Sequence, residues 1–173
     1  MAIKKILTYP DPVLRQKVEP VTTFDDALKE LAHDLAETMY AAPGVGLAAN
    51  QIGICLRIVV IDVSRSEDEK KPLVLVNPEI IEKEGCQIDE EGCLSVIDYT
   101  ARVERYNKLL VRAQDLNGRT WEFPAEDFFA RVIQHELDHL EGILFIDRLS
   151  PLKRKLYKKR LKKLLREREE EVS

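Results

Sequence analysis

The chain has 173 residues, 45% of them hydrophobic and 34% charged, with a net charge of −4 at neutral pH. That length suits a single domain with a real hydrophobic core. No repeat or low-complexity linker divides it, and Met1–Pro10 lacks the long apolar stretch of a secretory signal or membrane span. The three cysteines are an odd number, which argues against a disulfide framework and for reduced thiols in a cytoplasmic protein.

In chain order, the first helical periodicity runs from Asp25 to Ala41, with Leu28, Leu31, Leu35 and Met39 as its apolar stripe. His33 points away from that stripe and reads as a solvated surface residue. Gly44-Val45-Gly46 follows; on local sequence it suits a turn as well as a close backbone approach. Strand-like runs come next, at Arg57–Val63, Leu73–Val76, Gln87–Asp89 and Leu109–Ala113. Asn117-Gly118 marks a hairpin between Leu109–Asp115 and Thr120–Phe123. Cys55 borders an apolar run and reads as a core thiol, and Cys86 lies in a polar strand-like stretch. A second helix is expected over Glu126–Glu141, and Ser150-Pro151 has the N-cap and first-turn pattern of a third. Helices separated from clustered strands predict an α+β fold, with a central helix packed on antiparallel sheet.

The second helix carries Gln134-His135-Glu136-Leu137-Asp138-His139. Histidines four apart stack on one helical face about 6 Å from each other, as two ligands of one metal ion require. A glutamate beside the first then reaches a water activated by that ion, the arrangement of metal-assisted hydrolysis. On a helical wheel, Val132, Ile133, Leu137 and Leu140 gather around Phe129, and Glu136 falls inside this apolar stripe with both histidines on its flank. Arg131, Gln134, Asp138 and Glu141 lie opposite, the expected solvent face. A carboxylate on the core side is expensive unless the site uses it. A catalytic site needs a third protein ligand. Phe145 occupies the place of a downstream third histidine, and the glutamates from Glu167 onward lie in a charged tail. The third ligand is therefore expected upstream. Among the cysteines, Cys93 in Glu90-Glu91-Gly92-Cys93-Leu94-Ser95 is only modestly favoured by spacing.

Three blocks in order carry more weight than any one. Gly44-Val45-Gly46-Leu47-Ala48-Ala49-Asn50-Gln51, Glu91-Gly92-Cys93-Leu94-Ser95 and Gln134-His135-Glu136-Leu137-Asp138-His139 resemble the three motifs of the peptide deformylases. The resemblance extends from Tyr9-Pro10-Asp11 to Leu149-Ser150-Pro151-Leu152. It implies Cys93, His135 and His139 as metal ligands, Glu136 as the proton carrier, and Gln51 with the Leu94 N–H as oxyanion donors. It also implies a bound peptide against Gly44, Val45, Gly46, Glu91 and Gly92. The implied cofactor is one divalent ion, Fe(II) in the native protein, with zinc, nickel or cobalt able to replace it. Two positions depart from the family pattern: Ile97 stands where proline is usual, and Thr100 where many bacterial members have arginine. Both are expected near the peptide groove, where they bear on preference rather than on the reaction.

The resemblance implies removal of the formyl group from the N-terminal formylmethionine of nascent polypeptides. A metallopeptidase sharing the same helix motif, and a ribosome-binding module with a purely structural metal, are the competing readings. Residues 1–150 are expected to form the catalytic domain and 151–173 a basic helical extension of it. That extension has ten Lys or Arg against four Glu, a charge of +6, which leaves −10 on residues 1–150. Its Tyr157, Leu161, Leu164 and Leu165 form a stripe that can dock on the body, while its basic face suits an RNA backbone, which the resemblance implies to be that of the ribosome near its exit tunnel.

Overall fold

The computed structural model describes residues 2–64 and 70–172. Helix α1 (Asp26–Ala41) is capped by Asp25, whose carboxylate accepts the Leu28 N–H at 3.0 Å. Strands β1 (Gly46–Ala48), β2 (Ile58–Ile61) and β3 (Leu73–Glu84) follow, then β4 (Gln87–Cys93), β5 (Val96–Arg105), β6 (Lys108–Gln114) and β7 (Thr120–Glu126). Helix α2 (Asp127–Leu140) carries the paired histidines, and α3 (Pro151–Val172) ends the chain.

All strand pairs are antiparallel, and they form two separate sheets. One has the order β1-β2-β3-β6-β7; the other is the β4-β5 hairpin alone. Strand β2 explains its own continuous apolar run, because both its faces are buried. Val59 and Ile61 pack with Ile133, Leu137 and Leu140 of α2, whereas Ile58 and Val60 pack with Leu31, Leu35 and Met39 of α1. The five-stranded sheet is thus clamped between the two helices. A third cluster joins Val96 and Val103 of β5 to Phe145, Ile146, Tyr157 and Leu161, so α3 docks through the predicted stripe. Tyr157 is 1% exposed and stacks on Tyr99 with ring centroids 4.6 Å apart.

The α+β expectation holds, and so do both long helices and the hairpin around Asn117-Gly118. The sequence reading missed β5 entirely and cut β4 short. Acids and arginines interrupt its apolar alternation, so the pattern is weak, although Val96 and Val103 turn one face of β5 into the third cluster. Cys86 lies in the turn between β3 and β4 and is exposed. Cys55 is half-buried, packed against the edge of the core, and donates to the Gln16 side-chain Oε1 at 3.2 Å. His33 is exposed, as expected, beside Glu37 at 3.6 Å. Among the described residues, no helix is long and apolar enough to cross a membrane.

Candidate metal centre and active site

Burying the apolar stripe of α2 against the sheet sets the rotation of that helix, and with it the direction of both histidines. The end of β4 then brings Cys93 to them. His135 Nε2 and His139 Nε2 lie 3.2 Å apart, Cys93 Sγ is 3.2 Å from His139 Nε2, and all three atoms fall within 4.8 Å of one another. Two imidazole nitrogens on one tetrahedral ion would stand about 3.3 Å apart, and a sulfur and a nitrogen about 3.5 Å. The donor set fits a metal ion.

Electrostatics point the same way. Burial alone would lower the His135 pKa, but Cys93 and Glu91 hold it well above the ordinary imidazole value. Burial and the neighbouring His135 push His139 well below it. His135 Nδ1 meets Glu91 Oε1 at 2.8 Å, which directs Nε2 to the centre of the triad.

Glu136 is 2% exposed, and its Oε2 has no hydrogen-bond partner within the protein. Burial raises its pKa to about 7. A Cβ built on Gly46 would lie 3.0 Å from that Oε2 and 2.9 Å from Glu136 Cγ, so the glycine is what makes room for this carboxylate. The Gln51 side chain is fixed at both ends. Its carbonyl accepts the Ala48 N–H at 2.9 Å, and its amide donates to Ser95 Oγ at 2.9 Å and faces Cys93 Sγ at 3.8 Å. Leu94 occupies the turn between β4 and β5. A groove of about 500 Å³ runs past these groups, with Gly44, Val45, Gly46, Glu91, Gly92 and Leu94 among its walls.

These features match a known family. A model of the polypeptide deformylase family matches residues 3–155. The chain belongs to the polypeptide deformylase family. The peptide deformylase of Desulfotalea psychrophila is 58% identical over 164 residues, which cover 94% of this chain and 97% of that one. The crystal structure of a peptide deformylase from Legionella pneumophila matches with a TM-score of 0.89 at 47% identity, covering 96% of this chain and 98% of that one. A Met-Ala-Ser-bound class I type b peptide deformylase from Acinetobacter baumannii matches with a TM-score of 0.81 at 34% identity, covering 86% and 99%.

Within this deformylase fold, one expectation needs correction. Of the four residues read as solvent-facing on α2, Glu141 is exposed, but the β4-β5 hairpin and the residue after it cover Arg131 and Gln134, which are 2% and 6% exposed. Gln134 accepts the Tyr106 N–H at 2.9 Å and donates to the Tyr106 carbonyl at 2.8 Å. Periodicity cannot register a polar face whose partners come from a distant hairpin. Ile97 stands near the groove as expected, between its wall residues Val96 and Asp98, and its carbonyl accepts the Tyr157 hydroxyl at 3.4 Å. Thr100 does line the groove, opposite Gly92.

Glu91 lines the groove too, but its carboxylate is committed elsewhere. Arg105 donates to both oxygens at 2.8 Å, Arg131 to one at 2.5 Å, and His135 occupies the other. Burial would raise its pKa, yet Arg105 and His135 outweigh that and lower it to about 2. Sequence reasoning missed this partnership of Glu91, Arg105 and Arg131. The surplus of charge along the β4-β5 hairpin was the signal for it.

Proposed function

We propose that the family's reaction, metal-dependent hydrolysis of the N-formyl group from N-terminal formylmethionine with release of formate, runs in this groove on Cys93, His135, His139, Glu136, Gln51 and Leu94. The observation that carries the assignment is the convergence of a three-atom donor set with a buried, unpartnered carboxylate at the groove wall. Cys93, His135 and His139 hold the ion, which when bound supplies Lewis acidity and lowers the pKa of water. Glu136, poised near 7, takes a proton from the attacking water and passes it to the departing amine. The Gln51 amide and the Leu94 N–H stabilise the oxyanion from fixed positions, without reorganisation as charge develops.

The substrate backbone lies along β1, the edge strand of its sheet, where an extended peptide can add as a further strand. Gly44, Val45, Gly46, Glu91 and Gly92 border it, with Glu91 contributing only its backbone. Val45, Leu94, Phe128 and Val132 form an apolar wall suited to a methionine side chain. The Met-Ala-Ser bound to the Acinetobacter relative corresponds to a deformylated product of this kind.

The native ion is Fe(II), and zinc, nickel or cobalt can replace it. Residues 1–150 form the catalytic unit, and 151–173 extend the same domain. The protein acts in the cytoplasm, where α3 turns its exposed Leu152, Leu156 and basic side chains to the ribosome. Formate release decides the reaction: formyl-Met-Ala-Ser should yield formate and Met-Ala-Ser. Cleavage of internal bonds in an unformylated peptide, with no formate, would favour the metallopeptidase reading instead. Co-sedimentation with ribosomes that weakens steeply with salt supports docking; absence of co-sedimentation at low salt removes it.

A further inference from the structure

The three ligand atoms come from two bodies that share no strand pairing. His135 and His139 stand on α2, against the five-stranded sheet, whereas Cys93 ends β4 in the separate hairpin. A triad assembled in this way is only as well defined as the link between the two bodies. The link that reaches a ligand side chain directly is a ladder of buried charge. Glu91 on β4 holds His135 Nδ1, and Arg105 at the end of β5 grips both Glu91 oxygens. The remaining Arg105 nitrogen, Nη1, donates to Asp138 Oδ2 at 2.6 Å. Asp138 lies three residues beyond His135 on α2, so the ladder returns to its starting helix one turn on. Arg148 closes the outer end, donating to both Asp138 oxygens at 2.7 Å.

We propose that Arg105 and Asp138 are positioning residues of the metal centre. They act through Glu91 on His135, and they lock the Cys93 hairpin against α2. The reasoning rests on saturation. Each Glu91 oxygen accepts two hydrogen bonds, which fixes the carboxylate plane and so the rotation of the His135 ring. Without the Arg105 fork, each oxygen keeps a single partner, Arg131 on one and His135 on the other, and the plane is held less firmly. A ladder kept only for stability has little rationale, because a buried ion network is often no more stabilising than apolar residues of the same volume. Its particular contribution is direction. Arg105 and Asp138 are 3% and 13% exposed in their side chains, so neither can contribute as a surface charge.

The inference depends on Cys93, His135 and His139 being the metal triad, and the experiment separates failure of the two. The full-length protein and its Arg105→Met, Arg105→Lys, Asp138→Asn and Arg148→Gln variants are stripped of metal and titrated with Co(II) against a competing chelator. The thiolate-to-cobalt absorption band and the melting temperature of each metal-free protein are recorded alongside. Arg105→Met should bind Co(II) about 10–100-fold more weakly, the usual effect of losing an outer-shell partner, with a displaced thiolate band. Arg105→Lys should recover part of the loss. Asp138→Asn and Arg148→Gln should show smaller losses in the same direction. Variants that melt earlier yet bind Co(II) with unchanged affinity and band would reduce the ladder to a structural brace and overturn the proposal. If Arg105→Met does not fold, Asp138→Asn and Arg148→Gln decide, and wild-type affinity in both overturns it. A wild-type protein that binds no Co(II) would overturn the triad itself.

Discussion

Gly46→Ala tests the placement of Glu136 without replacing any ligand or proton carrier. The new methyl carbon would sit 2.9 Å from Glu136 Cγ and 3.0 Å from both Cδ and Oε2. Ordinary contact between such atoms is about 3.5–4.0 Å, so one partner must give way by roughly 0.5–1 Å. Gly46 is paired to Ile61 in the sheet and cannot retreat easily. Glu136 borders the groove, so its carboxylate, rather than the strand, takes the displacement. A catalytic group misplaced by about 1 Å can lose on the order of 10²-fold in rate. Overpacking costs about 1–3 kcal/mol, partly offset by about 0.4–1 kcal/mol from the stiffer unfolded chain. Formate release should therefore fall about 100-fold in kcat, while metal content stays stoichiometric and the melting temperature drops modestly. Gly44→Ala is the control. Its Cβ would meet Leu94 Cδ1, the free end of a flexible side chain, so KM should move more than kcat. A Gly46→Ala enzyme with full metal and near-normal kcat would refute the assignment of Glu136 and the geometry behind it.

Chelation should abolish activity and Fe(II) or Ni(II) restore it; replacing Cys93, His135 or His139 should prevent stoichiometric metal binding, whereas Cys55→Ser and Cys86→Ser should bind normally. Glu136→Gln should keep its metal and lose roughly 10²–10⁴-fold in turnover, and Gln51→Ala about 10²–10³-fold, both read by formate release. Asp147 is held below the usual carboxylate range: burial would raise its pKa, but the Arg15 guanidinium and the Leu144 N–H outweigh it. Its contribution is thus complete above the unfolded value of about 3.9 and shrinks as pH falls through the lower folded value. The melting-temperature gap between wild type and Asp147→Asn should be widest near neutrality and close in acid. Tyr157→Ala should cost about 3–5 kcal/mol, as for other fully buried aromatics. A thermal shift near zero would mean that α3 does not brace Tyr99 and the groove.

Much of the candidate site could be read from sequence, because its chemistry is local. Histidines four apart on a helix must share a face, and the apolar stripe of Val132, Ile133, Leu137 and Leu140 fixes which face turns inward. The long helices, the Asn117-Gly118 hairpin and the docking stripe of α3 follow from period and turn chemistry in the same way. The meeting of Cys93 with the two histidines was a different matter. Spacing only weakly favoured that cysteine; motif resemblance named it, and β4 delivers it from 42 residues upstream of His135. The role of Glu91 lay beyond both routes. Its sequence neighbours place it at the groove, but the direction of its carboxylate is decided by Arg105 and Arg131 arriving from β5 and α2. Periodicity assigned Arg131 and Gln134 to solvent for the same reason: a charge is buried only where another segment brings its partner. Hydrophobic pattern is a property of one segment and can be read from that segment alone. The neutralisation of buried charge belongs to pairs of segments, and only the tertiary structure decides which pairs meet.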